Sequence, residues 1–193
     1  MTARLRLAQD PEADELLSRD PLALLIGMVL DQQIPLEWAF KAPLLLRERL
    51  GHDLDAAELA TYDPEALAVL FSGPPALHRF PGSMAARVQQ LCRHLVERYG
   101  GDPAAVWRGT ADGADLRRRV EALPGFGKQK AQIFVALLGK QLGVRPDGWE
   151  RAAGEFGEPG SYRSVADITN ADSLAKVRAY KQQKKAEAKA AKA

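Results

Sequence analysis

The chain has 193 residues, 46% of them apolar and 27% charged, the proportions of a soluble globular protein of one sizeable or two small domains. Its single cysteine, Cys92, excludes an internal disulfide, a four-cysteine iron–sulfur cluster and a zinc ribbon. The net charge of +2 divides unevenly, with five lysines and one acid (+4) in residues 181–193 but 22 bases and 24 acids (−2) elsewhere, so a nucleic-acid role has to rest on local residues.

The first residues, MTARLRLAQDPEADELL, contain no apolar signal core and turn acidic at once, so no secretory signal is expected and the expected compartment is the cytoplasm. Asp10-Pro11 and Asp20-Pro21 each read as a helix cap followed by proline at the first helical position. Residues 22–33 are apolar nearly all round, as in a buried central helix. The longest apolar run, residues 21–30, is short of the roughly 20 residues of a membrane span. Ile34-Pro35 breaks this helix, and Pro35 can start the next, which ends near Gly51. Asp63-Pro64-Glu65 opens another. Met84, Val88, Leu91, Leu95 and Tyr99 mark one face of a helix over 83–99, stopped by Gly100-Gly101. Phe80-Pro81-Gly82 before it reads as an ordinary turn. Short helices are predicted over 113–122 and 147–156, with a longer one over 128–142. A last helix starts at Ala171, and its tail beyond Tyr180 reads as frayed helix or disorder. No stretch alternates at period 2, so the predicted fold is all-α with about ten helices. His78 and His94 show no metal-ligand spacing and read as surface or turn residues, and no metal is expected.

The most informative string is LPGFGKQKA at 123–131. Pro124 ends the helix before it. Gly125 and Gly127 permit positive φ and put no Cβ between the backbone and an outside group. The following helix presents its free N–H groups and the positive end of its dipole on the same side, an anion site built without charged side chains. Lys128 and Lys130 add positive charge. Leu123 and Phe126 anchor the turn in the core, and Ala131 lets two helices approach closely. The bland alternative is a glycine turn between antiparallel helices.

This string resembles the helix-hairpin-helix of the HhH-GPD DNA glycosylases, the endonuclease III superfamily of base-excision repair. The resemblance runs from about Pro21 to at least Phe156, and includes residues 21–33, similar to a central helix ending in a glutamine hinge. It implies two helical subdomains with an interdomain cleft. Residues 1–170 would form this unit, with about 21–125 as the central subdomain and the N-terminal segment plus 126–170 as the second. Residues 171–193 would be a C-terminal helix with a basic Lys/Ala-rich tail. The partner implied is double-stranded DNA, bound by a nucleoid-associated monomer without a cofactor.

The resemblance also places the catalytic carboxylate of the family at Asp147, 18 residues beyond Gln129. Breaking an N-glycosidic bond develops positive charge on the sugar, which a carboxylate stabilises. Pro146 and Gly148 flank it, where the family has a branched apolar residue and a different following segment. Asp147 with Glu150 also reads as a helix cap. Gln129 occupies the position of the Schiff-base lysine of bifunctional members, which implies a monofunctional glycosylase. The Pro146-Asp147 element is similar to that of the alkyladenine branch, which implies alkylated purines as substrates. One of Gln32 and Gln33 would enter the duplex at the gap left by a flipped base; otherwise the pair caps a helix end. Trp38, Phe40 and Trp149 would border the base pocket or pack in the core. The alternative function is a non-catalytic helix-hairpin-helix DNA-binding protein; a structural protein with no DNA role is a third.

Overall fold

A computed structural model describes residues 4–193, in which all regular structure is helical. The Asp-Pro pairs start helices as expected. Asp10 accepts a hydrogen bond from the Ala13 amide at the start of α1 (Pro11–Arg19), and Asp20 accepts from Leu22 and Ala23 at the start of α2 (Pro21–Leu30). Nine of the ten α2 residues are buried, so this helix is the central rod of the molecule. It stops at Leu30, three residues before the predicted end, and the chain bends through Gln33, whose φ is +60°.

α3 (Leu36–Leu50) packs on α2 and ends at Gly51 in the left-handed conformation. Gly27 of α2 makes that approach possible: a Cβ there would stand 2.6 Å from the Phe40 ring of α3. α4 (Ala56–Thr61) and α5 (Pro64–Ser72) pack on the amphipathic α6 (Pro81–Tyr99). α4 was not anticipated, although Asp55 three residues before Glu58 is a cap signature, and Asp55 does accept from the Glu58 amide. α1 lies against α2 and α3.

The second group gathers around α8 (Lys128–Gln141), flanked by α7 (Gly113–Glu121) and α9 (Trp149–Ala152). Both helices of the hairpin therefore belong to one group, whereas the sequence-based division ran between them. The helix predicted over 147–156 is two short pieces, α9 and a 3-10 turn at Gly154–Gly157, because Gly148 and Gly154 adopt φ of +77° and +61°. Lys140 and Gln141 at the end of α8 hold the C-terminal loop, Lys140 Nζ through Asp167 (2.6 Å) and Gln141 through the Ala166 carbonyl (2.8 Å). α10 (Ala171–Ala191), capped by Asn170, stays helical through almost the whole tail. One apolar cluster runs through both groups, from Leu5 and Leu7 through α2 and α8 to Leu174 and Val177. None of the described helices is long and apolar enough to cross a membrane.

Candidate nucleic-acid interface

Leu123 and Phe126 anchor the turn between α7 and α8, exposed by 1% and 8%, and Phe126 meets Phe134 edge-on at 5.9 Å. Between them Pro124 and Gly125 make the turn, and Gly125 carries a φ of +87°. A Cβ on Gly125 would lie 3.1 Å from Val29 and 3.4 Å from Arg87 Cδ, so the turn is seated directly on the end of α2 and the start of α6. Gly127 differs from the expectation of positive φ. It is extended (φ −110°, ψ −172°), and a Cβ there would meet nothing within 4 Å. Neither dihedral angle nor internal crowding calls for glycine at 127, and the space in front of it is open to an outside group. α8 starts there with no side-chain cap, so its first amide N–H groups are available. Lys128 beside them is exposed.

Lys130 is corrected by its geometry. Its ammonium does not face outward but donates to the Met28 carbonyl at 2.6 Å and approaches the Asp31 carbonyl at 3.4 Å. It caps the C-terminal end of α2, where a cation complements the helix dipole. Burial lowers its pKa, an effect that nearby Asp31 opposes.

The hairpin and the glutamine hinge form one connected surface. Gln32 donates to the Val29 carbonyl (2.9 Å) and accepts from Arg87 (3.3 Å) on α6. Its backbone carbonyl accepts from His78 Nε2 at 2.9 Å, while Phe80 N–H donates to His78 Nδ1 at 3.0 Å. His78 is thus a buried neutral clip within a bend of the chain, a turn residue but not a surface one, and burial depresses its pKa. These bonds hold the Gln32 side chain back against the protein. Gln33 is exposed and lies outside this network. Asp31 is half-buried, and desolvation raises its pKa, an effect that the charges of Lys181 and Lys130 oppose and that of Glu37 supports.

Asp147 is placed elsewhere. Its carbonyl accepts from the Gly113 amide at 2.8 Å, at the end of α7 opposite the hairpin. Nine residues of helix, about 13 Å, separate the two. Its exposed side chain lines a groove of about 650 Å³ between α7 and α9, with Arg117, Arg118 and Arg151. It does not cap α9, whose N-cap is Gly148. The aromatic expectations also change. Phe40 is fully buried against Gly27, and Trp149 packs on Gly139 of α8, where any Cβ would collide with its ring. Both aromatics fill space left by a helix glycine, and those glycines were the signal in the sequence. Trp38 is half-buried and donates to the Ala76 carbonyl at 3.0 Å. Cys92 is buried on α6, its thiol pushed up to about 12 by desolvation.

The family model for the HhH-GPD superfamily base excision DNA repair proteins matches residues 26–193, a span that contains the hinge, the hairpin and α10. No curated protein gives a significant match.

Proposed function

Because the chain belongs to the HhH-GPD superfamily of base excision DNA repair proteins, we propose that it is a monofunctional DNA N-glycosylase that extrudes a damaged base, an alkylated purine above all, and hydrolyses its glycosidic bond. The observation that carries this reading is the seating of the α7–α8 turn against the glutamine hinge. Gly127 and the bare start of α8 supply an anchor for one backbone phosphate. Gln33, free of the hydrogen bonds that hold Gln32, is the side chain to fill the gap behind an extruded base, which offsets part of the few kcal/mol of unstacking. Its positive φ is the strained conformation expected of a residue held outward for a task.

Water is the nucleophile in this reading, since Gln129 cannot form an imine and Lys130 is engaged by α2 carbonyls. The assisting carboxylate is Asp147 by its spacing from the hairpin, or Asp31 by its position beside the hairpin lysine. Asp31 is desolvated, and the charges of Lys181 and Lys130 act against that effect. A cation developing on the sugar would relieve that desolvation, so its interaction would strengthen toward the transition state.

The experiment is base release from duplexes carrying alkylated purines, uracil, oxidised guanine or a mismatch, each heated in alkali to cut abasic sites. Wild type, Asp147→Asn and Asp31→Asn are assayed together. Loss of release in one variant assigns the carboxylate. Strand cleavage without alkali, with borohydride trapping on a lysine, would overturn the monofunctional assignment. The placement of Asp147 away from the hinge favours a second reading, a non-catalytic DNA-binding protein. It predicts duplex binding with no base release from any lesion.

A further inference from the structure

α10 carries a pattern that the composition alone does not show. At 3.6 residues per turn, Lys181, Lys184, Lys185, Lys189 and Lys192 fall within an arc of about 140°. This arc continues the face that carries Leu174 and Val177 in the first turns, where both are buried against the body. The inward side of α10 therefore begins apolar and becomes basic where the helix leaves the body. Glu187 lies off this arc, and it pairs with Lys184 at 3.6 Å.

One contact fixes the direction in which the stripe looks. Arg178, on the same side of the helix, forms an ion pair with Glu37 in the first turn of α3. Consistent with that direction, the charge of Lys181 lowers the Asp31 pKa against desolvation. The helix thus passes the glutamine hinge and projects about 16 Å beyond Lys181, with its lysines on the side that faced the hinge one turn earlier. Ala, Lys, Gln and Glu are strong helix formers, so the projecting part needs little packing to keep its register.

We propose that the projecting half of α10 is a rail for the phosphate backbone of duplex DNA, which places the lysine stripe along the same duplex that the hairpin anchors and Gln33 probes. The inference rests on the DNA substrate of the proposed function and adds its second contact surface. Duplex DNA is the polyanion that suits a rigid, straight row of ammonium groups beside a base-reading hinge, and each lysine that meets a phosphate displaces a counterion. The rail is sequence-independent. Its contribution is affinity and salt dependence, not choice of lesion.

The test is fluorescence anisotropy of an undamaged labelled duplex of about 20 base pairs, titrated with the full chain between 50 and 200 mM salt. Replacing Lys184, Lys185, Lys189 and Lys192 together by Gln is expected to flatten the log–log salt slope by up to about 3.6, from roughly 0.9 per phosphate contact. Affinity at 50 mM salt is expected to drop at least tenfold. A second variant keeps the charge and turns two lysines to the opposite side, by exchanging Lys185 with Ala186 and Lys189 with Ala190. It is expected to lose about half of the slope change seen with Gln. An unchanged slope in the Gln variant, or wild-type binding by the exchanged variant, overturns the rail. Circular dichroism confirms that both variants keep α10 helical.

The lesion assay separates this from the reading beneath it. Stripe-dependent binding by a protein that releases no base keeps the rail and removes the glycosylase. Base release with stripe-independent binding does the reverse.

Discussion

Among the described residues, six of the ten α-helices begin under an Asp or Asn side chain that accepts one of their first amides: α1, α2, α4, α5, α7 and α10. The other four start with no such bond: α3, α6, α8 and α9, at Pro35, Phe80, Gly127 and Gly148. Three of these four bare starts lie around the hinge: Pro35 follows Gln33, Phe80 is tied to Gln32 through His78, and the Gly127 turn rests on Val29 and Arg87. The fourth, α9, lies beside Asp147. A missing cap usually lowers stability by about 1 kcal/mol. Its absence at three helix starts grouped around the hinge leaves first-turn amides there without a side-chain acceptor, as the proposed DNA anchor requires. Oriented amides attract an anion without entering the charge tally, so a net charge of −2 outside the tail does not oppose that proposal.

The contrast can be broken most directly at Gly127. Gly127→Asp puts a capping carboxylate into open space at an extended position, so stability should rise by a few tenths of a kcal/mol. The same carboxylate occupies the anion site, and duplex affinity measured by anisotropy should fall at least tenfold, or more than about 1.4 kcal/mol. A variant that gains stability and keeps its affinity would show that the bare start has no ligand. The reciprocal change, Asp63→Ala, removes the bond to the Ala66 amide on the opposite side of the contrast. It should lower stability in urea unfolding by about 1 kcal/mol and leave DNA affinity within twofold.

A smaller effect sharpens the comparison at the hinge itself. Desolvation raises the Asp31 pKa in the folded state. Above the unfolded value the open chain ionises freely while the folded chain resists, so Asp31 lowers stability as pH rises through that window. Asp31→Asn should therefore raise the melting temperature at pH 7, with the gain shrinking to nothing as pH falls toward about 4. His78 works in the opposite sense. Its depressed pKa favours the neutral clip, so its contribution is complete above pH 6.5 and declines as acid protonates the unfolded chain first.

Much of the frame was legible because its signals are local. Asp10-Pro11, Asp20-Pro21 and Asp63-Pro64 each hold a cap, a fixed φ and a missing donor within two residues, and all three start helices. The hairpin was legible for the same reason. What escaped were pairings between distant parts of the chain. His78 looked like a turn residue because its partner Gln32 is 46 positions away, and Lys130 looked like a phosphate ligand because Met28 is 102 positions away. Phe40 and Trp149 were left between a pocket and the core, which the structure resolves toward the core, because nothing in their own segments mentions Gly27 or Gly139. The 147–156 segment was read as one helix on its cap pattern, against two glycines that turn the backbone left-handed.

The uninterrupted core has a mechanical consequence. Apolar contacts pass from the first group of helices to the second without a seam, through Val29, Leu123 and Phe134, all exposed by 1% or less. Such a body is expected to melt in one cooperative step. In the proposed function a duplex would meet the hairpin and the hinge as points on one core, and the bend needed to reach both would fall to the nucleic acid. Deformability would then become a criterion of choice: a weakened base pair would give way on this anvil before an intact one.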